Sequence, residues 1–200
     1  MSAILGNKFD RYIRGNCVTK TDFNFSDTRT TLKKELLFKA LMVCVKQQSL
    51  NDIQIATLCR EAKVSRMFYY RHFTSKEGII TDKFQREYQQ YLRIIRKYKI
   101  HDPHQMAFEF FEFFRGFRDT TQELIDADLG YLVDYNFRDY FKDMLANHVI
   151  HGNQQYPDYW IAFAVGGLSQ LLFSWIQKGT PESSTEMANI FFSFTEPIQD

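Results

Sequence analysis

No segment of the 200 residues shows a convincing alternation of apolar and polar side chains, and that constrains the fold most. Apolar residues instead recur every three or four positions, the spacing of one face of an α-helix. From Leu32 they fall at Leu36, Leu37, Ala40, Leu41 and Cys44, which predicts a helix ending near Gln48 and capped by Asp27 or Thr28. A short helix is expected from Gln54 to Ala62, a turn at Lys63 and Val64, and a helix from Ser65 through His72. Thr74-Ser75-Lys76-Glu77 opens a longer one reaching about Lys99, roughly 37 Å at about 1.5 Å per residue. His101-Asp102-Pro103 stops it, because the residue before a proline avoids the helical region. Further helical patterns cover about 104–119, 121–128, 134–149, 158–178 and 183–194. With only 9 Gly and 4 Pro to make turns, long uninterrupted elements are favoured. The expectation is an all-α chain.

Its charge is unevenly spread. Residues 28–100 carry 16 Lys and Arg against 6 Asp and Glu, whereas residues 101–200 carry 5 against 15. The net charge of +1 therefore conceals a basic half and an acidic half. A basic half suits a polyanion such as nucleic acid, although a solvated helical surface has the same composition.

Residues 54–73, QIATLCREAKVSRMFYYRHF, have the layout of a helix-turn-helix. Two crossing helices need a small residue at the contact, here Cys59, then a tight-turn position at Lys63 and an apolar anchor at Val64. The second helix must bury one side, which Tyr69 and Phe73 can supply, and present the other to a DNA major groove. Arg66, Met67 and Phe68 fall on its first turn, where base edges are met.

The run AKVSRMFYYRHFTSKEGI resembles the AGVSRGTFYRHFxSKExL signature of the tetracycline-repressor family, and the similarity spans roughly residues 29–80. The segment YWIAFAVGGLSQLLFSWIQKGTPESSTEMA also resembles that family's dimerising helices. Residues 1–27 show no sustained period and read as a tail; the resemblance implies a three-helix DNA-binding domain over 28–75 and an all-helical regulatory and dimerisation domain over 76–200. It implies a cytoplasmic homodimer that binds a double-stranded operator, represses transcription, catalyses nothing and responds to a small apolar or aromatic inducer. The DNA-binding set it implies is Arg29, Ser65, Arg66, Met67, Phe68, Tyr70, His72 and Lys76, with Tyr70, His72 and Lys76 on phosphates. The chain departs from the signature at Lys63, where the family has glycine, and at Met67-Phe68, where it has Gly-Thr. Residue 68 then offers a thymine methyl an apolar contact in place of a hydroxyl for phosphate.

Other chemistry finds little support. Cys17, Cys44 and Cys59 are odd in number, widely spaced and without a CxxC, which excludes a disulfide framework or zinc ribbon and fits a reducing cytoplasm. His101 with His104, and His148 with His151, lack the further ligands a metal site needs. No phosphate-binding glycine motif and no nucleophile elbow is present, and no cofactor is expected. The uncharged stretch from Tyr159 to Gln177 approaches bilayer length, but Ser169, Gln170 and Ser174 interrupt it and a protein-buried helix reads the same way. No membrane partner is expected.

Residues 101–200 hold 20 Phe, Tyr and Trp, enough to build a core or to line a cavity. Phe111, Phe114, Tyr135 and Trp160 are the candidate lining residues, with Trp160 towards the dimer side. The competing function is a helical enzyme or small-molecule carrier whose basic half binds another anion.

Overall fold

The computed structural model describes residues 25–153 and 155–194, and among them every regular element is helical. The chain begins with α1, Phe25–Val45, and a single 3-10 turn at Leu50–Asp52. The helices α2, Ile55–Glu61, and α3, Arg66–His72, complete the N-terminal group with α1. The long α4, Glu77–Lys97, leads to α5, Pro103–Gly116, α6, Arg118–Asp126, and α7, Tyr131–Ala146. Last come α8, Pro157–Gln177, and α9, Ser184–Ser193. Because α1 starts at Phe25, Asp27 and Thr28 lie inside its first turns, so neither is the cap. Residues 1–24, which hold Cys17 and most of the expected tail, lie outside the described residues.

Local chemistry sets many helix boundaries. Ser65 caps α3 by accepting the Phe68 N–H, and Asp102 caps α5 by accepting from Gln105 N–H with Pro103 in the first turn. Ser183 and Glu186 form a reciprocal capping box on α9. The C-terminal ends explain how a chain with so few glycines turns so often. After α2, α4, α6 and α7 the chain enters the left-handed region at Lys63, Lys99, Asp128 and His148, with φ of 53°, 49°, 58° and 55°. At each, the next N–H reaches back across the last turn: Val64 to Cys59, Ile100 to Ile95, Leu129 to Leu124 and Val149 to Met144. These are Schellman closures, and in each the bonded pair is also an apolar pair that anchors the turn. A left-handed non-glycine residue costs about 1–2 kcal/mol, which the recovered carbonyl bonds and that contact offset.

The buried side chains form one continuous core with two regions. In the first, Leu37, Leu41, Leu58, Cys59, Tyr69 and Ile80 join α1, α2, α3 and the start of α4. In the second, Phe111, Leu124, Val133, Leu172 and Trp175 join α5 to α8. Trp175 is 2% exposed, meets Phe111 in a T-shaped contact and donates its indole N–H to the Glu182 carbonyl at 3.2 Å. α4 touches both regions, packing on α1 at one end and on α7 and α5 further along. α8 is long and apolar enough to cross a membrane, yet Ile161, Val165, Leu168, Leu172 and Trp175 turn one side of it into the core.

Candidate nucleic-acid interface and ligand cavity

α2 and α3 form the helix-turn-helix that the spacing predicts. Cys59 is 3% exposed and Val64 7%, while Lys63 takes the left-handed turn. Arg66, Met67, Tyr70 and Arg71 project outward, and Met67 is 71% and Tyr70 65% exposed. Arg29 on α1 and Ser65 are exposed too; the Ser65 oxygen is occupied as the cap, which leaves its hydroxyl proton to donate.

Phe68 goes the other way. It is only 9% exposed, its ring lies 4.3 Å from that of His72, and the Lys33 ammonium sits 5.2 Å over it. A base contact through residue 68 is thereby corrected: the apolar side chain offered outward is Met67. The reason is helical phase, since Phe68 and Tyr69 both fall on the inward side of this short helix. His72 is half-buried, and burial lowers its pKa, with Lys34 and Arg71 acting in the same direction. Both effects favour the uncharged imidazole, which can donate one N–H.

Lys76 also differs from the expectation. Its ammonium donates to the carbonyls of Asn51 and Ile53, at 2.9 and 3.0 Å, and so ties the start of α4 to the 3-10 turn. Two of its three protons are committed within the chain. Lys76→Met, which keeps most of the stem, is expected to cost about 1 kcal/mol and to lower Tm by about 2–4 °C. The slope of DNA affinity against salt is expected to stay unchanged. A slope reduced by about one unit at constant Tm would put the ammonium on a phosphate instead.

Ion pairing sharpens the charge of this half. Between α1 and α4, Lys34, Lys83 and Arg86 meet Glu35, Asp82 and Glu87 in one connected network. Burial pushes the Glu35 carboxyl up, but Lys83 and Arg86 outweigh it and hold its pKa below the usual value. Three of the 16 cations and three of the 6 anions in residues 28–100 cancel there, which leaves 13 against 3. The network also fixes α4 to the helix that carries α2 and α3.

Further along, α4 forms one wall of a cavity of about 760 Å³. Phe84, Tyr88 and Tyr91 come from α4, Phe110, Phe113 and Phe114 from α5, and Phe137, Tyr140 and Phe141 from α7. Trp160, Phe163 and Leu171 of α8 and Phe191 of α9 complete the apolar lining, with His101, His148 and His151 among the few polar groups. Tyr88 and Tyr140 stack with centroids 4.0 Å apart and planes at 6°, and the Tyr88 hydroxyl donates to Asp143 at 2.7 Å. Burial raises the Tyr88 pKa and the bond to Asp143 raises it further, so the phenol stays protonated. The loop before α8 lies on Trp160 so closely that a Cβ at Gly152 would come within 2.8 Å of the indole.

Phe114 and Trp160 line this cavity as expected. Phe111 and Tyr135 do not, and are corrected. Phe111 is 0% exposed and packed edge-on to Trp175, while Tyr135 is 58% exposed on the outer side of α7. Sequence reasoning missed Phe110, Phe113, Phe137, Tyr140 and Phe141. For Phe110 and Phe113 the signal lay one position from Phe111 and Phe114, whereas Phe137, Tyr140 and Phe141 lie two to six positions beyond Tyr135 on α7.

Residues 101–197, which supply most of the cavity wall, match the transcriptional regulator C-terminal region of the TetR type. The match supports a regulator of the tetracycline-repressor family. Among solved structures it is similar to the dihydroxyacetone kinase operon activator DhaS, with a TM-score of 0.51 and 11% identity over 81% of this chain and 93% of that one. It is also similar to the fatty acid degradation regulator FadR from Bacillus halodurans, with a TM-score of 0.48 and 12% identity over the same shares. The likeness to DhaS is one of fold. No curated protein matches the chain by sequence. The fold is all-helical among the described residues, and the match to a transcriptional regulator C-terminal region supports a regulator.

Proposed function

We propose that this chain is a cytoplasmic, ligand-responsive repressor of the TetR family that binds a two-fold operator as a homodimer and catalyses no reaction. The observation that carries the reading is the outward face of α3. Arg66, Met67, Tyr70 and Arg71 are exposed together on a helix whose other side is held by Phe68, Tyr69 and Phe73, within a half of the chain that is strongly basic. Arg66 suits a guanine or a phosphate, and Tyr70 and Arg29 suit phosphates.

Dimerisation is supported by the outer side of α8. Tyr159 is 79% and Phe163 71% exposed, and a side chain at Gly166 or Gly167 would meet nothing within 4 Å. Such a face allows the close approach of a second α8, with α9 alongside, as in a four-helix interface. Ligand response is supported by the cavity, whose walls include the helix that leads from the DNA-binding group.

Selection of bound duplexes from a random library tests the reading. The expected product is a pseudo-palindrome with half-site centres about 34 Å apart or a multiple of it. Arg66→Ala is expected to lose about 5- to 150-fold in affinity and to relax preference at one base pair per half-site. Recovery of no duplex at low salt would overturn DNA binding and favour a ligand carrier. The sign of regulation is read from a reporter behind the selected site, which repression predicts to rise when the regulator is removed.

A further inference from the structure

We infer that Met67 is a specificity determinant that reads the 5-methyl group of a thymine in each operator half-site. The inference rests on the DNA-binding reading and adds what one residue recognises. On α3, Arg66, Tyr70 and Arg71 can donate hydrogen bonds, whereas the exposed Met67 side chain has no donor and only a weak thioether acceptor. At 71% exposure it stands among the most exposed large apolar residues of the molecule, on the first turn of a helix whose neighbouring Phe68 is buried.

The major groove narrows the choice of partner. Guanine, adenine and cytosine present donors and acceptors there, and thymine alone adds an apolar group, its C5-methyl. A thioether side chain seated on a donor or acceptor would desolvate it without replacing its hydrogen bond, which disfavours the other bases. Met67 therefore contributes attraction to thymine and a penalty against the alternatives. The Met side chain is unbranched and polarisable, so it can follow a methyl group through small changes in helix placement. Tyr70 lies three residues on and shares the same side of the helix, where it fixes register without competing for that methyl.

The test replaces thymine by uracil, one position at a time, in a duplex recovered by the library selection. This exchange removes the methyl and leaves every hydrogen-bonding group in place. Each lost methyl contact is expected to weaken the wild-type chain about fourfold, from about 0.8 kcal/mol per buried methyl-sized group. At the two symmetric positions together the expected loss is about 15-fold. Met67→Ala should bind the thymine and uracil duplexes equally, because the partner of the methyl is gone. Met67 is exposed, so this variant keeps the fold, which circular dichroism verifies. Met67→Leu, with an apolar side chain of similar size, should restore part of the preference for thymine. Uracil that weakens nothing, or weakens Met67→Ala as much as the wild type, overturns the assignment while DNA binding stands. Failure to recover any duplex overturns DNA binding, and this assignment with it.

Discussion

Gly166→Glu is expected to yield a folded monomer whose affinity for the complete operator is about 10²- to 10⁴-fold lower than that of the wild type. Gly166 lies within α8, and a side chain built there meets nothing within 4 Å in the single chain. A helical glycine also costs roughly 0.5–1 kcal/mol relative to a better helix former, so the substitution does not weaken the protomer. In a two-fold interface the same carboxylate appears twice, facing its own copy across the axis where two helices come closest. Burial of like charges without partners opposes association strongly. Once the protomers part, the second half-site contact is no longer intramolecular and its effective concentration is lost. Sedimentation at micromolar concentration and operator titration check both parts. A variant that remains dimeric, or a monomer that binds the full operator as tightly as the wild type, would remove α8 from the interface. Binding to an isolated half-site should be unaltered, since α3 lies in the other group of helices.

The same face bears on the cavity. Phe163, Gly167, Gln170 and Ser174 are exposed on α8 and also line the cavity. A second chain seated over Gly166 and Phe163 would cover that side of the opening, so assembly and ligand affinity are linked in this arrangement. Gly166→Glu should therefore weaken ligand binding as well as operator binding, although Gly166 itself is not a lining residue.

The fold was legible in the sequence where burial follows one period. Of the stripe expected on α1, Leu37, Leu41 and Cys44 are buried together while Leu32 and Leu36 stay exposed, and helices expected at 104–119 and 158–178 occur at Pro103–Gly116 and Pro157–Gln177. Helix ends were harder, because turns here seldom use glycine. Lys99 and Asp128 show no turn propensity comparable to glycine, yet the apolar residue after each, Ile100 and Leu129, draws the chain back onto the helix. The 3-10 turn at Leu50–Asp52 is braced by Lys76, whose ammonium bonds the carbonyls of Asn51 and Ile53, 25 and 23 residues away. In the candidate sites, residue type was legible and direction was not. Met67 and Phe68 are adjacent and both apolar, but 71% exposure against 9% separates their roles. Phe110 and Phe111 are likewise adjacent, one on the cavity and the other in the core against Trp175. One step along a helix turns a side chain by about 100°, and a helix apolar on most sides carries no mark of which side meets empty space.

An apolar aromatic compound that occupies the cavity is expected to lower operator affinity by about 5- to 150-fold, the usual range for a coupling of about 1–3 kcal/mol. A volume of about 760 Å³ lined chiefly by aromatic rings admits a molecule of drug size and little competing hydrogen-bond demand. The route to the DNA is short. Phe84, Tyr88 and Tyr91 face the cavity from α4, and the stretch of α4 that carries Phe84 is held to α1 by the Glu35–Lys83–Arg86–Asp82–Lys34 network. Tyr88 stacks on Tyr140 and bonds Asp143, so it joins α4 to α7 at the cavity wall. A ligand that spreads α4 from α7 must tilt the helix carrying α1 to α3, and a ligand with no preference between the two arrangements would shift nothing. Compounds are found by thermal shift, where a ligand at 100 times its Kd adds about 2.7 kcal/mol of stability. Each is then titrated against the dimer on its operator. Ala107→Phe, which places a ring in the cavity from α5, should mimic occupancy and weaken operator binding without any compound. Linkage makes the effect reciprocal: saturating operator should weaken ligand binding by the same factor that ligand weakens operator binding. Compounds that raise Tm yet leave operator affinity untouched, together with an Ala107→Phe chain that binds as the wild type, would show a cavity uncoupled from α4.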